Sequence, residues 1–289
     1  MKCTMNHGGS ILRTRLIRRP SATHREKGAQ VTSLTVLGGS AASVSTGQGC
    51  AGFLLGSEET RIVLDFGPGT LQELRKHADF RTLDALVLSH LHIDHMLDIF
   101  ALRFALSYNP IKPKRKLPLW LPPGGLEFFG RAAGLFATNE DPASYFATVF
   151  ELGEYDPEGR LEIGDLTLSF HPTVHYIPCW AIRVRPERGT GDLVYTADYG
   201  PSSGLAGFAH DASVLLSEAT SPEPAIEDRS AAGHVTVTEA AELANTVEAT
   251  TLILTHMYEE NDPEAFRRTA QRIFPRDVHV AKPGLVVEW

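Results

Sequence analysis

The run Ser-His-Leu-His-Ile-Asp-His at positions 89–95 constrains this chain more than any other feature, because it follows the apolar run Asp84–Leu88. Asp84–Leu88 has the length and composition of a buried strand, so the cluster is delivered at a strand end, on a rigid support. Side chains alternate in extended backbone, which puts His90 and His92 on one face. Met96–Tyr108 then has helical spacing and is stopped by Asn109-Pro110. The change from strand to helix swings Asp94 and His95 to a second point nearby. Imidazole and carboxylate together suit zinc and neighbouring first-row metals. One segment can thus serve two ions, and ordinary hydrogen-bonded histidines are a poor account of four such side chains within residues 90–95.

The donors must be His and carboxylate. Cys3, Cys50 and Cys179 are too few and too scattered for a disulfide framework or a Cys-rich zinc module, so a reducing, cytoplasmic setting is expected. No run of eighteen apolar residues predicts a membrane span, and the first residues lack the apolar stretch of a secretory signal. A net charge of -8 weighs against a long polyanion such as tRNA as partner. It is compatible with a small anionic substrate, because two divalent ions override the local field.

Residues 1–30 carry Arg13, Arg15, Arg18, Arg19 and Arg25 among Gly, Ser and Thr without a hydrophobic period, and a disordered basic extension is expected there. Residues 31–289 are expected to form one domain. Strands are predicted at Val31–Leu37, ending at Gly38-Gly39, and at Gly52–Leu55 and Arg61–Asp65; a helix over Thr70–His77 follows the turn Gly67-Pro68-Gly69. Lys112–Lys116 reads as a loop before the strand Pro118–Leu121, and residues 122–150 as an irregular or helical insertion that walls a pocket. Further strands are predicted at Leu166–Phe170, Ala181–Val184, Leu193–Thr196, Val214–Ser217 and Thr251–Leu254, with closing strands Val278–Val280 and Leu285–Val287. Thr236-Val-Thr-Glu239 has the pattern of a capping box for a helix to Glu248, and Asp262-Pro263 that of N-cap and N1 for Glu264–Ile273. Such alternation implies sheets covered by helices.

An ordered set of motifs then extends the cluster: Thr35-Val-Leu-Gly-Gly, Leu64-Asp-Phe-Gly-Pro-Gly, Val174-His-Tyr-Ile-Pro, Tyr195-Thr-Ala-Asp-Tyr-Gly, Ser217-Glu-Ala-Thr, Gly233-His-Val-Thr and Leu254-Thr-His. With the 89–95 run, this set resembles the metallo-β-lactamase superfamily, and its ribonuclease Z-like and cyclic-nucleotide phosphodiesterase-like branch in particular, over nearly the whole chain from Val31. The resemblance implies a four-layer αββα fold, two mixed β-sheets sandwiched by helices. It implies two divalent metal ions, Zn2+ first and Mn2+ or Fe2+ as alternatives. His90, His92 and His175 would bind one ion, Asp94, His95 and His256 the other, and Asp198 would bridge them. His171 competes with His175; the latter is preferred because Pro178 and Ala181-x-Arg183 follow it at family-like distances. Asp65 would support the metal-binding loop without ligating. Glu218 and His234 match elements that in such enzymes are thought to handle protons and to stabilise charge on phosphate.

The implied reaction is hydrolysis of a small or cyclic phosphodiester, or a nucleotide, through a metal-bridging hydroxide, with Asp94, His234 and Glu218 as catalytic residues. One departure matters. Bacterial ribonuclease Z usually carries a long tRNA-gripping arm between the equivalents of His175 and Asp198, and here that interval holds only a strand, the turn 188–192 and another strand. A ribonuclease Z-type tRNA 3′ endonuclease is therefore the second expectation. A lactone, thioester or lactam hydrolase is a third, against which the Glu218/His234 pair weighs. A non-catalytic metal- or ligand-binding protein is a fourth, although such proteins tend to lose ligands. A homodimer is expected from the habit of relatives. Cys50 reads as a small buried residue and not a nucleophile; His7, His24, His77, His210 and His279 read as structural or surface residues.

Overall fold

The structure, a computed structural model, describes residues 32–189, 191–224 and 227–289, so the expected 1–30 extension, with His7 and His24, lies outside the described residues. In chain order it forms strands β1 (Ser33–Ser40), β2 (Gly49–Cys50), β3 (Gly52–Gly56) and β4 (Arg61–Phe66), helix α1 (Thr70–His77), strand β5 (Ala85–Val87), and helices α2 (Ile93–Met96) and α3 (Asp98–Tyr108). Strand β6 (Leu117–Leu121), helix α4 (Gly125–Phe136) and strands β7 (Phe150–Glu154), β8 (Leu161–Ile163), β9 (Leu166–Pro172), β10 (Trp180–Pro186) and β11 (Leu193–Tyr195) come next. Helix α5 (Leu205–Phe208), strand β12 (Val214–Glu218), helix α6 (Val237–Thr246), strand β13 (Thr251–Thr255), helix α7 (Pro263–Ile273) and strands β14 (Asp277–Val280) and β15 (Val286–Glu288) complete it.

One sheet has the order β15-β1-β3-β4-β5-β6-β7, with β2 beside β1; the other runs β14-β13-β12-β11-β10-β9-β8. Both are mixed. Strand β3 pairs antiparallel with β1 and β4, whereas β4 to β7 run parallel. Strands β8 to β11 are antiparallel and β11 to β14 parallel. Parallel neighbours need crossovers, and the helices supply them on the outer faces.

The two-residue period of the strands sorts side chains between three cores. Ile62, Leu64, Ala85 and Val87 meet Val214, Leu216 and Ile253 between the sheets. Val63, Leu86 and Leu88 point outward to Leu74, Ile99, Leu102 and Phe129 of α1, α3 and α4. On the other side, Leu215, Leu252 and Leu254 point outward to Ala240, Ala244, Phe266 and Ala270 of α6 and α7. The layering is αββα, two mixed sheets between helices. Among the described residues no helix is long and apolar enough to cross a membrane.

Three local differences from the sequence reading have physical causes. β1 does not stop at Leu37 but runs through Gly38-Gly39 to Ser40. Gly38 is there for close approach, since a Cβ on it would lie 2.2 Å from the Cys50 carbonyl oxygen. Residues 122–150 resolve into α4 and β7, where Gly130 and Gly134 inside the helix had blurred its period. β2 and β8 are too short for periodicity to show. The capping box forms as expected: Glu239 N–H donates to Thr236 Oγ1 and Thr236 N–H to the Glu239 carboxylate. Asp262 caps α7 through Glu264 N–H.

The C-terminal ends of β4, β5, β11, β12 and β13 carry Asp65, His90, Asp198, Glu218 and His256, and these ends meet at one rim of the sandwich. Open α/β sheets bind ligands at this kind of edge.

Candidate metal centre

The backbone leaves the β-region where strands hand side chains to the rim. Asp65, Ala197 and His256 have φ of 53°, 51° and 55°, in the left-handed region. Each such residue costs about 1–2 kcal/mol, a strain that persists only where the surroundings over-determine it. Ala42, with φ 56°, belongs to the same set: its N–H donates to Asp94 Oδ2 at 2.8 Å.

The seven residues singled out as ligands come together. His90, His92, His175 and Asp198 place donor atoms within 4.8 Å of one another, as do Asp94, His95 and His256. Asp198 touches both sets. Its Oδ2 lies 3.7 Å from His90 Nε2, 3.6 Å from His175 Nε2 and 3.4 Å from His256 Nε2, and its Oδ1 lies 3.3 Å from His95 Nε2. Asp94 Oδ2 is 3.2 Å from His256 Nε2, and His92 Nδ1 is 3.0 Å from His175 Nε2. His171 lies elsewhere, donating from Nε2 to the Ser203 carbonyl and stacking on Phe208.

Four imidazoles are oriented from behind. His175 Nδ1–H donates to the Gly233 carbonyl at 2.8 Å and His95 Nδ1–H to Asp65 Oδ2 at 2.8 Å. Ser89 Oγ gives its proton to Asp65, so it accepts from His90 Nδ1–H at 2.9 Å. Thr220 Oγ1 donates to Glu218, so it accepts from His256 Nδ1–H at 2.9 Å. Each bond puts a proton on Nδ1 and turns Nε2 toward the cluster, an arrangement typical of metal-binding histidine. Asp65 also lies close to His90 and His95, yet its carboxylate already accepts from Ser89 N–H, Ser89 Oγ, His95 Nδ1 and Tyr195 Oη. It is saturated as an orienting group.

Within the cluster, His90 Nε2, His95 Nε2 and Asp198 Oδ1 are buried without a hydrogen-bond partner. An unsatisfied buried polar atom costs about 1–3 kcal/mol, so three converging here need a compensating ligand. A borderline-soft divalent cation matches nitrogen and carboxylate donors at this density. The protonation states agree. Burial, then the charge of the neighbouring imidazole His95, pushes His90 well below the usual histidine range; burial takes His175 down to about 4. Burial alone would raise Asp94 and Asp198, but the surrounding imidazoles hold both below the usual carboxylate range. His95 goes the other way: burial opposes its charge, yet Asp198 and Asp65 together keep a proton on it. A bound cation would replace that positive charge.

Glu218 and His234 stand beside the cluster. Glu218 is buried at the end of β12 and accepts from Tyr199 N–H at 2.6 Å, from Thr220 Oγ1 and from His234 Nδ1 at 3.1 Å. The His234 ring stacks on His256, with centroids 5.3 Å apart and planes 19° apart, and meets His175 edge-on at 4.9 Å. Burial lowers its pKa, but the Glu218 carboxylate outweighs burial and the net shift is upward. Arg229 holds this loop, donating to the His234 carbonyl and to the Glu239 carboxylate.

Some supporting residues escaped the sequence reading. Tyr195 and Ser89 act through Asp65, and Thr220 through His256 and Glu218. Ser89, Thr220 and Tyr195 all lie in the motifs above, but nothing in the sequence links Tyr195 to Asp65. Cys50 is buried, and burial with the Asp94 charge pushes its thiol up to about 12, a poor setting for a nucleophile. His77 pairs with Glu73 and His210 with Asp211, while His279 sits on β14, all away from the cluster.

Comparison with known proteins places this fold in a family. The chain is 30% identical over 257 residues to the "Probable metallo-hydrolase YhfI" of Bacillus subtilis, covering 88% of this chain and 99% of that protein. The crystal structure of YhfI superposes with a TM-score of 0.77 at 28% identity, covering 90% of this chain and 100% of that one. Ribonuclease Z of Bradyrhizobium diazoefficiens is 26% identical, covering 84% of this chain and 95% of that protein. A diphosphatase from the PhnP family shares the fold, with a TM-score of 0.68 at 20% identity, covering 89% of this chain and 98% of that one. The family model described as the Beta-lactamase superfamily domain matches residues 60–257, and with it the chain belongs to the metallo-hydrolases of the β-lactamase superfamily.

Proposed function

We propose that the protein is a dinuclear metal-dependent phosphodiesterase acting on small or cyclic phosphodiesters. In this reading His90, His92 and His175 hold one ion, Asp94, His95 and His256 the other, and Asp198 is shared, with zinc the first expectation. Two such ions would supply a water acidic enough to attack near neutral pH and positive charge for the phosphoryl oxygens.

The chain's own residues do the rest. Asp94 Oδ2 accepts from Ala42 N–H and lies 3.2 Å from His256 Nε2 at the rim of the cluster, which suits it to orient the attacking group. His234, backed by Glu218, is suited to carry a proton to the leaving oxygen or to hold charge as it develops there. The Glu218–His234 pair beside the ligand set is the observation that carries the proposal. A carboxyl-type hydrolysis has less need of a second protonated imidazole on that side.

The relatives named ribonuclease Z favour tRNA 3′-end cleavage as the second reading. Against it, β10 ends at Pro186 and β11 starts at Leu193, a span too short for a substrate-gripping arm. The deciding experiment presents metal-loaded protein with 2′,3′- and 3′,5′-cyclic nucleotides, bis-(p-nitrophenyl) phosphate, a tRNA precursor and a lactone. Turnover of the small phosphodiesters is expected. Efficient maturation of the tRNA precursor with none of the small esters cleaved would select the second reading, and cleavage of the lactone alone would overturn both.

A further inference from the structure

The rim of the centre carries a large side chain that neither packing nor ligand geometry explains. Tyr176 follows His175 directly on the β9–β10 connection and is 65% exposed. Its ring is nonetheless held in place. The centroid lies 5.2 Å from His175 and 5.6 Å from His234, both at steep angles. Gly233 lies against the ring: a Cβ there would come within 2.9 Å of Tyr176 Cε2 and Cζ. Within the described residues the hydroxyl has no hydrogen-bond partner. The result is an aromatic plate, backed by Gly233 and His234, with the remainder of its surface open to solvent beside the cluster.

The ligand-bearing segments also carry exposed apolar side chains. Ile93, between His92 and Asp94, and Val174, before His175, are both exposed. An open aromatic ring next to a phosphate-handling histidine matches the way proteins hold single bases, by stacking on Tyr, Phe, Trp or His.

We infer that Tyr176 is a specificity-determining residue that stacks on the nucleobase of the substrate, so that the preferred small phosphodiester is a nucleotide. The inference rests on the phosphodiesterase reading for its phosphate, but it can be tested by binding alone. The ring supplies the interaction, so the hydroxyl is dispensable.

The experiment is calorimetric titration of the metal-loaded protein with a nucleoside 5′-monophosphate and with ribose 5-phosphate, which lacks the base. Wild type is expected to prefer the nucleotide about tenfold, equivalent to about 1.4 kcal/mol. Tyr176→Ala is expected to bring the ratio close to unity, and Tyr176→Phe to preserve it. The ratio, unlike either affinity alone, is insensitive to a general loosening of His234 in the alanine variant. No preference in wild type, or an undiminished preference in Tyr176→Ala, overturns the inference. If the ratio behaves as expected but no phosphodiester is cleaved, the function proposed above fails while the base-stacking assignment stands.

Discussion

His234 Nδ1 lies 3.1 Å from Glu218 Oε2, and that carboxylate is fixed in turn by Tyr199 N–H and Thr220 Oγ1. The imidazole is therefore aimed from behind while its ring packs against His256 and His175. Proton transfer by a positioned side chain contributes about 10²–10⁴-fold to rate, so His234→Ala is expected to lower kcat by that order. Glu218→Gln should lower it less, because an amide can still accept from Nδ1–H. Both variants should keep the metal content of wild type by elemental analysis. Loss of metal in step with activity would move His234 into the ligand set.

A second expectation concerns metal retention. Tyr195→Phe removes one of the four donors to Asp65 and leaves the ring in its core position. Removing a partner behind a metal-binding histidine costs about 10–100-fold in metal affinity. Competition with a chromophoric chelator should place Tyr195→Phe at the low end of that range and Asp65→Asn at the high end. Stripping the metal from wild type should also lower its melting temperature, since a ligand that binds only the native state stabilises it by mass action. Equal affinities for wild type and Asp65→Asn would remove Asp65 from the orienting role.

Much of this cluster is visible in sequence because its candidate ligands sit at strand ends. A strand fixes the direction of its last residue, so His90, Asp198 and His256 stand at positions where an apolar run stops. What periodicity could not reach is pairing across elements. Tyr195 meets Asp65 from the other sheet, and Arg229 meets the His234 carbonyl through a short 3₁₀ turn; both contacts exist only once the sheets are packed. The same holds for the segment after α4, which a buried arginine of α3 holds across about forty residues of sequence.

That arginine is Arg103 of α3, buried with its guanidinium 3.9 Å over the Tyr145 ring. Its Nε donates to the Tyr145 carbonyl, and it also bonds Tyr108 Oη and Glu140. It thus pins the segment after α4 to α3. Arg103→Met keeps volume but strands the Tyr145 carbonyl, a loss of about 2–3 kcal/mol by the cost of an unsatisfied buried acceptor and a lost cation–π contact. Arg103→Lys should recover only part of this, because an ammonium cannot stack and fork together. Chemical denaturation would measure both, and an Arg103→Met variant within 0.5 kcal/mol of wild type would show that the pin is dispensable.

The last expectation is a pH dependence away from the metal centre. Asp192, buried just before β11, accepts from Arg183 Nε and from Arg185 Nε and Nη2 on the paired strand β10. Burial alone would raise its pKa, but the two guanidinium groups outweigh burial and hold it below the usual carboxylate range. A carboxylate whose pKa is lower folded than unfolded stabilises the native state wherever the unfolded chain is ionised, that is above about pH 4. As the pH falls from there through the depressed folded value, the unfolded chain binds the proton first and the contribution is lost. Asp192→Asn keeps the shape and removes the charge, so it should be less stable than wild type by about 1–3 kcal/mol near neutral pH. The gap should narrow steadily as the pH falls below about 4. Denaturation of the two proteins across that range measures the difference directly, and a constant gap would mean that the ionisation of Asp192 does not contribute to holding β10 to β11.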